Sequence, residues 1–403
     1  MAETDIQSLH SAEYKTRPTV VGFAPGVVHL LGEHVERAGV PTLSIALQRG
    51  VSVAVSPRRD LSLRFYAPDI GERRRTGVTS IKPRREDRWA NVPKGVIAHV
   101  LERGHRMKGL DVTIAGNVPI SRGLASSTAV CVALSLALER LLDLPRGGID
   151  PIHAAYHAEK EYAGMRPSEA DAAISSLCSP GTIVIYRHGS RRVEPVGPIP
   201  GDTRLILIDS QVPPQADDEE DYDAREHVLL GCADFEPDRA VSPPPAENEK
   251  SRNNGPAAGN NARHVRDELN DHLEGLSARE RRTCLHVMRE LERVELAKEA
   301  VVKGEPEQVG RLLSRSHADI GDLLELSCPE LDWLARRTQD SAGVYGSRLT
   351  GPGLGGYLAT LCRPDAFDGL EAQLAEYDSI FGFNAGWIEV ETGESAQVHE
   401  IGD

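Results

Sequence analysis

The chain of 403 residues has few cysteines, and they are scattered. Cys131, Cys178, Cys232, Cys284, Cys328 and Cys362 show neither CxxC spacing nor a paired rhythm. This excludes a disulfide framework or a cysteine-built zinc site and predicts reduced, mostly buried thiols. No apolar run reaches membrane-spanning length, and the opening MAETDIQSLHSAEYKTRP has no basic segment leading into an apolar one. Positive charge is also short: 46 Lys and Arg against 61 Asp and Glu leave a net charge of −15. That balance argues against a general nucleic-acid binder while leaving room for a locally basic pocket. Together these absences predict a cytoplasmic protein with no nucleic-acid or membrane partner.

What is present fits a globular protein. With 40% hydrophobic residues the chain can bury substantial cores, and its length exceeds what one core usually organises, so two domains are expected. Residues 1 to about 17 are polar and are expected to be loose. From Val20 to Val55 short Val/Leu/Ala runs alternate with Gly and Pro breaks, as strands joined by turns do. WANVPKGVIAHVLERG places Val92, Val96 and Val100 at helical spacing, and SSTAVCVALSLALERLLDL reads as a long apolar helix opening on N-cap-type serines. GTIVIYRHG reads as a strand; Leu285, Met288, Leu291 and Val294, then Val309, Leu312, Leu313 and Ile320, mark two later helices. Residues 237 to 261, crowded with Pro, Asn and Gly, read as a disordered surface insertion. The element order lacks steady β/α alternation, so an α+β architecture is expected.

Four segments could carry chemistry. FAPGVVHLLGEHVERAGV runs from a buried-looking strand directly into Glu33, His34 and Glu36, which is either a solvated turn or a binding edge. PISRGLASSTAV joins a strand to the long helix, where Gly123 permits a tight turn and Ser126, Ser127 and Thr128 sit at the positive helix end, a place suited to phosphate oxygens. No GK[ST] follows, so it is not a Walker loop; a plain serine-capped helix is the alternative. In YGSRLTGPGLGGYLATL, Gly351, Gly353 and Gly356 formally satisfy GxGxxG, but a strand-like segment follows where a dinucleotide fold needs a helix. The loop reads instead as a structural turn or as a lid on the phosphate loop. AEKEYAGMRPSEADAAIS carries Glu159 and Asp171 across a Pro-containing turn, as a base, a metal ligand or a helix-capping acid.

Taken in this order and spacing, the four segments resemble the galactokinase family of the GHMP small-molecule kinases. APGVVHLLGEHVERAG is similar to the signature APGRxNLxGEHTDYxGG, PISRGLASSTA to the phosphate loop PxGxGLSSSA, and GSRLTGPGLGGYLATL to G[SA]RxTGxGFGGC. The likeness runs from about residue 20 to 392, the insertion excepted. It implies a two-domain GHMP kinase fold of mixed and antiparallel sheets with helices, the active site in the cleft between the domains, 18–208 and 209–403, the second holding the insertion at about 237–262. It implies ATP and Mg²⁺ as cofactors, a small sugar as substrate, and a monomer. ATP phosphates would lie on Gly123, Leu124, Ala125, Ser126, Ser127 and Thr128, with Ser127 and Glu159 at the metal. Asp171 would be the base, and Glu33, His34, Glu36, Ser168 and Tyr222 would meet the sugar. The implied reaction is phosphorylation of the anomeric hydroxyl of galactose.

Departures from the pattern set expectations of their own. The family's catalytic arginine falls on Val27, and an apolar side chain can neither offset phosphate charge nor hold Asp171 ionised. Loss of such an arginine costs on the order of 10³ to 10⁵ in rate when nothing replaces it. Arg122 and Arg166 are the candidate replacements, with solvent-facing arginines as the alternative. Glu36 replaces Asp, Ser168 replaces Gly, Asp223 replaces Asn, and His29 replaces Asn. Two further readings therefore stand beside galactose phosphorylation: a kinase for a related sugar, and a catalytically weak sugar- and nucleotide-binding regulator.

Overall fold

The computed structural model describes residues 3–215, 219–233 and 276–402. The insertion expected at 237–262 lies outside the described residues. In chain order the elements are α1 (Glu3–Tyr14), β1 (Val20–Leu31), β2 (Thr42–Pro57), β3 (Ser62–Ala67), β4 (Glu72–Gly77), α2 (Asn91–Glu102), β5 (Leu110–Gly116), α3 (Ser126–Leu141), α4 (Pro151–His157), α5 (Glu169–Leu177), β6 (Ile183–Tyr186), β7 (Val193–Gly197) and β8 (Arg204–Asp209). There follow α6 (Glu219–Ala233), α7 (Ala278–Lys303), α8 (Pro306–Asp319), α9 (Pro329–Gln339), β9 (Val344–Thr350), β10 (Tyr357–Cys362), α10 (Phe367–Phe381), β11 (Gly386–Val390) and β12 (Gln397–Glu400).

Two sheets organise them. The larger has eight strands in the order β12-β1-β2-β5-β3-β4, with β6 on β2 and β7 on β6. Only its β3–β5 pair is parallel, so the sheet is mixed. The smaller is antiparallel, in the order β11-β8-β10-β9. Strands β1 and β2 are buried on both faces, which is why they read as continuous Val/Leu/Ile/Ala runs rather than alternating ones. Helix α3 packs across them: Gly22 of β1 is needed because a Cβ there would come within 2.2 Å of the Ala133 carbonyl oxygen.

Three expectations need correction. The polar N-terminus is not loose. Its helix α1 buries Ile6 and His10, and both His10 ring nitrogens are engaged, at 2.9 Å from Thr113 Oγ1 and 2.9 Å from Ser56 Oγ. A helix anchored by a hydrogen-bonded histidine leaves little apolar periodicity to read. The expected division between residues 208 and 209 falls inside β8, a strand of the smaller sheet, and β12 returns from the chain's far end to pair with β1. The lobes are thus not contiguous in sequence. The long helix α3 has no serine cap: Ala125 precedes it in the left-handed region at φ 55° and contributes no side-chain hydrogen bond.

Candidate active site

All four chemistry-bearing segments open on one cleft of about 810 Å³. On one wall β1 runs out at Leu31, and Gly32 at φ 84° makes the turn, where any Cβ would lie 2.0 Å from the Pro41 carbonyl oxygen. The turn delivers Glu33 and His34 to the cleft, and a single 3₁₀ turn, Glu36–Ala38, delivers Glu36. His34 Nε2 and Glu36 Oε2 are buried atoms without a hydrogen-bond partner. Leaving such groups unmet costs about 1–3 kcal/mol each, so this wall is built to be completed by polar groups of a ligand. Burial first, then the positive field of Arg348, keeps the His34 pKa well below its ordinary value. A neutral imidazole offers one donor and one acceptor, which suits a hydroxyl.

The opposite wall is the start of α3. With no side chain capping it, the helix presents its first N–H groups and its positive end beside Ser126, Ser127 and Thr128. The turn before it is held by the glycine loop of the smaller sheet. Gly123, at φ 80°, approaches Gly351 so closely that a Cβ would meet the Gly351 Cα at 2.7 Å. That loop packs directly against the turn before α3. Leu124, expected among the phosphate contacts, turns its side chain into the core, and its carbonyl accepts the Val27 N–H at 3.2 Å. It shapes the loop from behind.

At the cleft floor Glu159 sits on a π-turn, Ala158–Tyr162, that follows α4. Its Oε1 accepts from Ser127 Oγ at 2.6 Å and Thr128 Oγ1 at 2.9 Å. Burial raises its pKa to about 7 against those two hydrogen bonds, and the Asp171 charge adds to the rise. Asp171 lies in the first turn of α5, where the helix end favours a carboxylate. Ser168 is the N-cap of that helix and accepts the Asp171 N–H at 3.4 Å, so the serine at this position helps fix the acid.

Asp171 has a partner that was not foreseen. His29 Nε2 lies 2.8 Å from Asp171 Oδ1, while His29 Nδ1 lies 2.7 Å from Ser44 Oγ. Burial alone would lower the His29 pKa, but the hydrogen bond and charge of Asp171, with Glu33 and Glu36 behind it, raise it to about 9. Neither candidate arginine takes this place. Arg122 is turned to Asp209, at 3.6 Å, and to the Val212 carbonyl, whereas Arg166 lines the cleft with its guanidinium 4.0 Å over the Tyr222 ring. Val27 is 1% exposed and packed in the core.

Glu33 has duties besides any ligand. Its Oε2 accepts from the fully buried Arg348 at 3.2 Å and its Oε1 from the Gly351 N–H at 2.8 Å, tying the two lobes together. Arg348 Nε also donates to Ser316, whose hydroxyl donates to Glu290, which in turn accepts the Gly32 N–H. A carboxylate has about four acceptor positions, so Glu33 keeps capacity for a ligand in addition.

Family models match three parts of the chain: the GHMP kinases N terminal domain over 91–179, the galactokinase galactose-binding signature over 8–57, and the GHMP kinases C terminal over 297–379. The chain is 33% identical over 401 residues to a Treponema pallidum (strain Nichols) protein named "Putative galactokinase", covering 98% of this chain and 96% of that one. The Streptomyces coelicolor galactokinase is 30% identical over 377 residues, 92% of each. The chain belongs to the galactokinase family. In fold it is similar to a Lactococcus lactis galactokinase solved with galactose, with a TM-score of 0.81 at 22% identity, covering 98% of this chain and 99% of that one. A mevalonate kinase shares the architecture more loosely, with a TM-score of 0.59 at 16% identity over 93% of this chain and 99% of that one.

Within the galactokinase framework the structure brings Glu33, His34, Glu36, Ser168 and Tyr222 together with Gly123, Ala125, Ser126, Ser127, Thr128, Glu159 and Asp171 around one cleft. Among the described residues no cluster of three or more His, Cys, Asp or Glu could hold a metal by protein ligands alone. No helix of the described residues is long and apolar enough to cross a membrane. The missed residue is His29. The available signal was its replacement of the signature's Asn two positions after the missing arginine.

Proposed function

We propose that the protein transfers the γ-phosphoryl group of ATP to the anomeric hydroxyl of galactose. The carrying observation is the placement of Asp171 in a cleft with unmet buried acceptor and donor atoms, Glu36 Oε2 and His34 Nε2, on one wall and the uncapped start of α3 on the other. Family membership supports catalysis over a silent regulator.

The donor set fits Mg²⁺. Ser127 and Glu159 offer hard oxygens, and Glu159 is a buried carboxylate whose described hydrogen bonds come from two neutral hydroxyls. Mg²⁺ is commonly held by one or two carboxylates with the substrate's phosphates supplying the rest, so a three-ligand protein cluster, absent among the described residues, is not required. When bound, it would supply charge neutralisation to the phosphoryl oxygens.

The chain's own residues do the remainder. The N–H groups at the start of α3 and the loop through Gly123 orient the phosphates, and His34, Glu36 and Tyr222 orient the sugar. Asp171 accepts the proton of the anomeric hydroxyl as that oxygen attacks the γ-phosphorus; the bond to the bridging oxygen breaks and ADP leaves. In-line positioning carries most of the acceleration in such a transfer. The same reading takes the protein as a cytoplasmic monomer.

The test follows ADP release and sugar binding together, with ATP, Mg²⁺ and a panel of aldoses. Galactose turnover is expected, falling by about 10² to 10⁴ in Asp171→Asn. Binding without turnover on every sugar refutes the kinase reading, and faster turnover on another aldose refutes the choice of galactose.

A further inference from the structure

We propose that His29 is the positioning cation of Asp171, standing in this chain for the arginine that the family signature carries at position 27. The proposal rests on the kinase reading above and says which group holds the base ready. Strand β1 carries it there by register. Val27 pairs with Ala46 and His29 with Ser44, with bulges before Val27 and after His29 but none between them. Residues 27 and 29 therefore share one face of the strand. On that face Val27 closes the core and His29 reaches Asp171, 142 residues away on α5.

Both ring nitrogens of His29 are spoken for, Nε2 by Asp171 and Nδ1 by Ser44. With no nitrogen facing the substrate, His29 is not itself the base. An Nε2–H donating to the carboxylate fixes which Asp171 oxygen is left for the sugar, and an imidazolium there favours the ionised acid. The groups facing this pair come from several elements. Asp171 on α5 faces His29 directly, with Glu33, Glu36 and His34 beside it after β1 and the uncharged Ser44 on β2. Glu159 on the π-turn faces Asp171; Arg348 on β9 faces Glu33 and His34, and Arg225 on α6 and His286 on α7 also face His34. The acidic groups outnumber the two arginines here, so the field retains the His29 proton, in keeping with a pKa of about 9.

The consequence is a loss confined to kcat, since both ring nitrogens are engaged by Asp171 and Ser44. Replacing His29 with Asn removes the group that holds Asp171 Oδ1 and should cost on the order of 10²-fold in kcat through misplacement of the base, with KM for galactose and ATP changed less than about threefold.

Steady-state kinetics on wild type, His29→Asn and the double variant Val27→Arg/His29→Asn would test this. The double variant is expected to regain about tenfold or more of the lost kcat with KM unchanged. Ring ¹⁵N shifts give a second readout independent of activity: His29 should stay doubly protonated past pH 8 in the wild type and lose its proton at least one pH unit earlier in Asp171→Asn. A neutral His29 at pH 7, or a folded His29→Asn with kcat within about threefold of wild type, overturns the proposal. Absence of wild-type turnover on every sugar, with a charged His29, would refute the kinase reading and leave the His29–Asp171 pairing standing.

Discussion

Gly351→Ala should separate close packing from backbone strain. Gly351 has φ 91°, and an added Cβ would lie 2.7 Å from the Gly123 Cα and 3.0 Å from its carbonyl oxygen, all backbone atoms that no rotamer change can move. Left-handed backbone costs a non-glycine residue about 1–2 kcal/mol. To restore a 3.4 Å contact the phosphate loop must retreat by about 0.7 Å, and a shift of about 1 Å at a reacting group can cost on the order of 10²-fold. Gly147 is the control: it has φ 81°, but nothing lies within 4 Å of its would-be Cβ. Gly147→Ala should lower stability by about 1–2 kcal/mol with turnover intact. Gly351→Ala should lose at least that stability and also about 100-fold in kcat/KM for ATP. Urea unfolding and ADP release on the three proteins decide it. A Gly351→Ala enzyme within threefold of wild type would show that the contact between the two glycine loops does not position the phosphates.

Burial lowers the His10 pKa to about 4, with Asp111 opposing and Arg64 reinforcing, so the ring is neutral when folded and takes a proton on unfolding below pH 6.5. The stability it confers is full above pH 6.5 and falls away as the pH drops towards 4, by about 3 kcal/mol in all. Urea unfolding at pH 7 and pH 5 should show that difference shrinking in His10→Gln; parallel losses in both proteins would contradict it. Arg348→Ala strips the buried cation from Glu33 and from the field around Glu290. It should destabilise by about 3–5 kcal/mol, read by the same unfolding assay, and an effect below 1 kcal/mol would mean the lobes are joined otherwise.

Much of the fold was legible because its signals are local. The continuous apolar runs of β1 and β2, the 3.6-residue periods of α2, α7 and α8, and the glycines at φ > 0 are set by neighbours a few positions away. The site's membership was legible through motifs. What escaped lies in contacts distant in sequence. His29 is unremarkable until Asp171 is folded against it, Glu33 reads as a ligand group until Arg348 arrives from 315 residues away, and Ser168 reads as an intrusion until it is seen capping α5. Arg122 failed as a replacement cation for the same reason, since Asp209 and the Val212 carbonyl sit on its other side.

The return of β12 to β1 has a consequence for biosynthesis. Val20 to Phe23 pair with Gln397 to Glu400, so the strand that bears His29 keeps an unpaired flank until residues 397–400 have left the ribosome. At about 5–20 residues per second that interval is roughly 20 to 75 s. During it β1 is an edge strand, rich in valine, open to pairing with another nascent chain. Trimming the chain before Gln397 would make that exposure permanent.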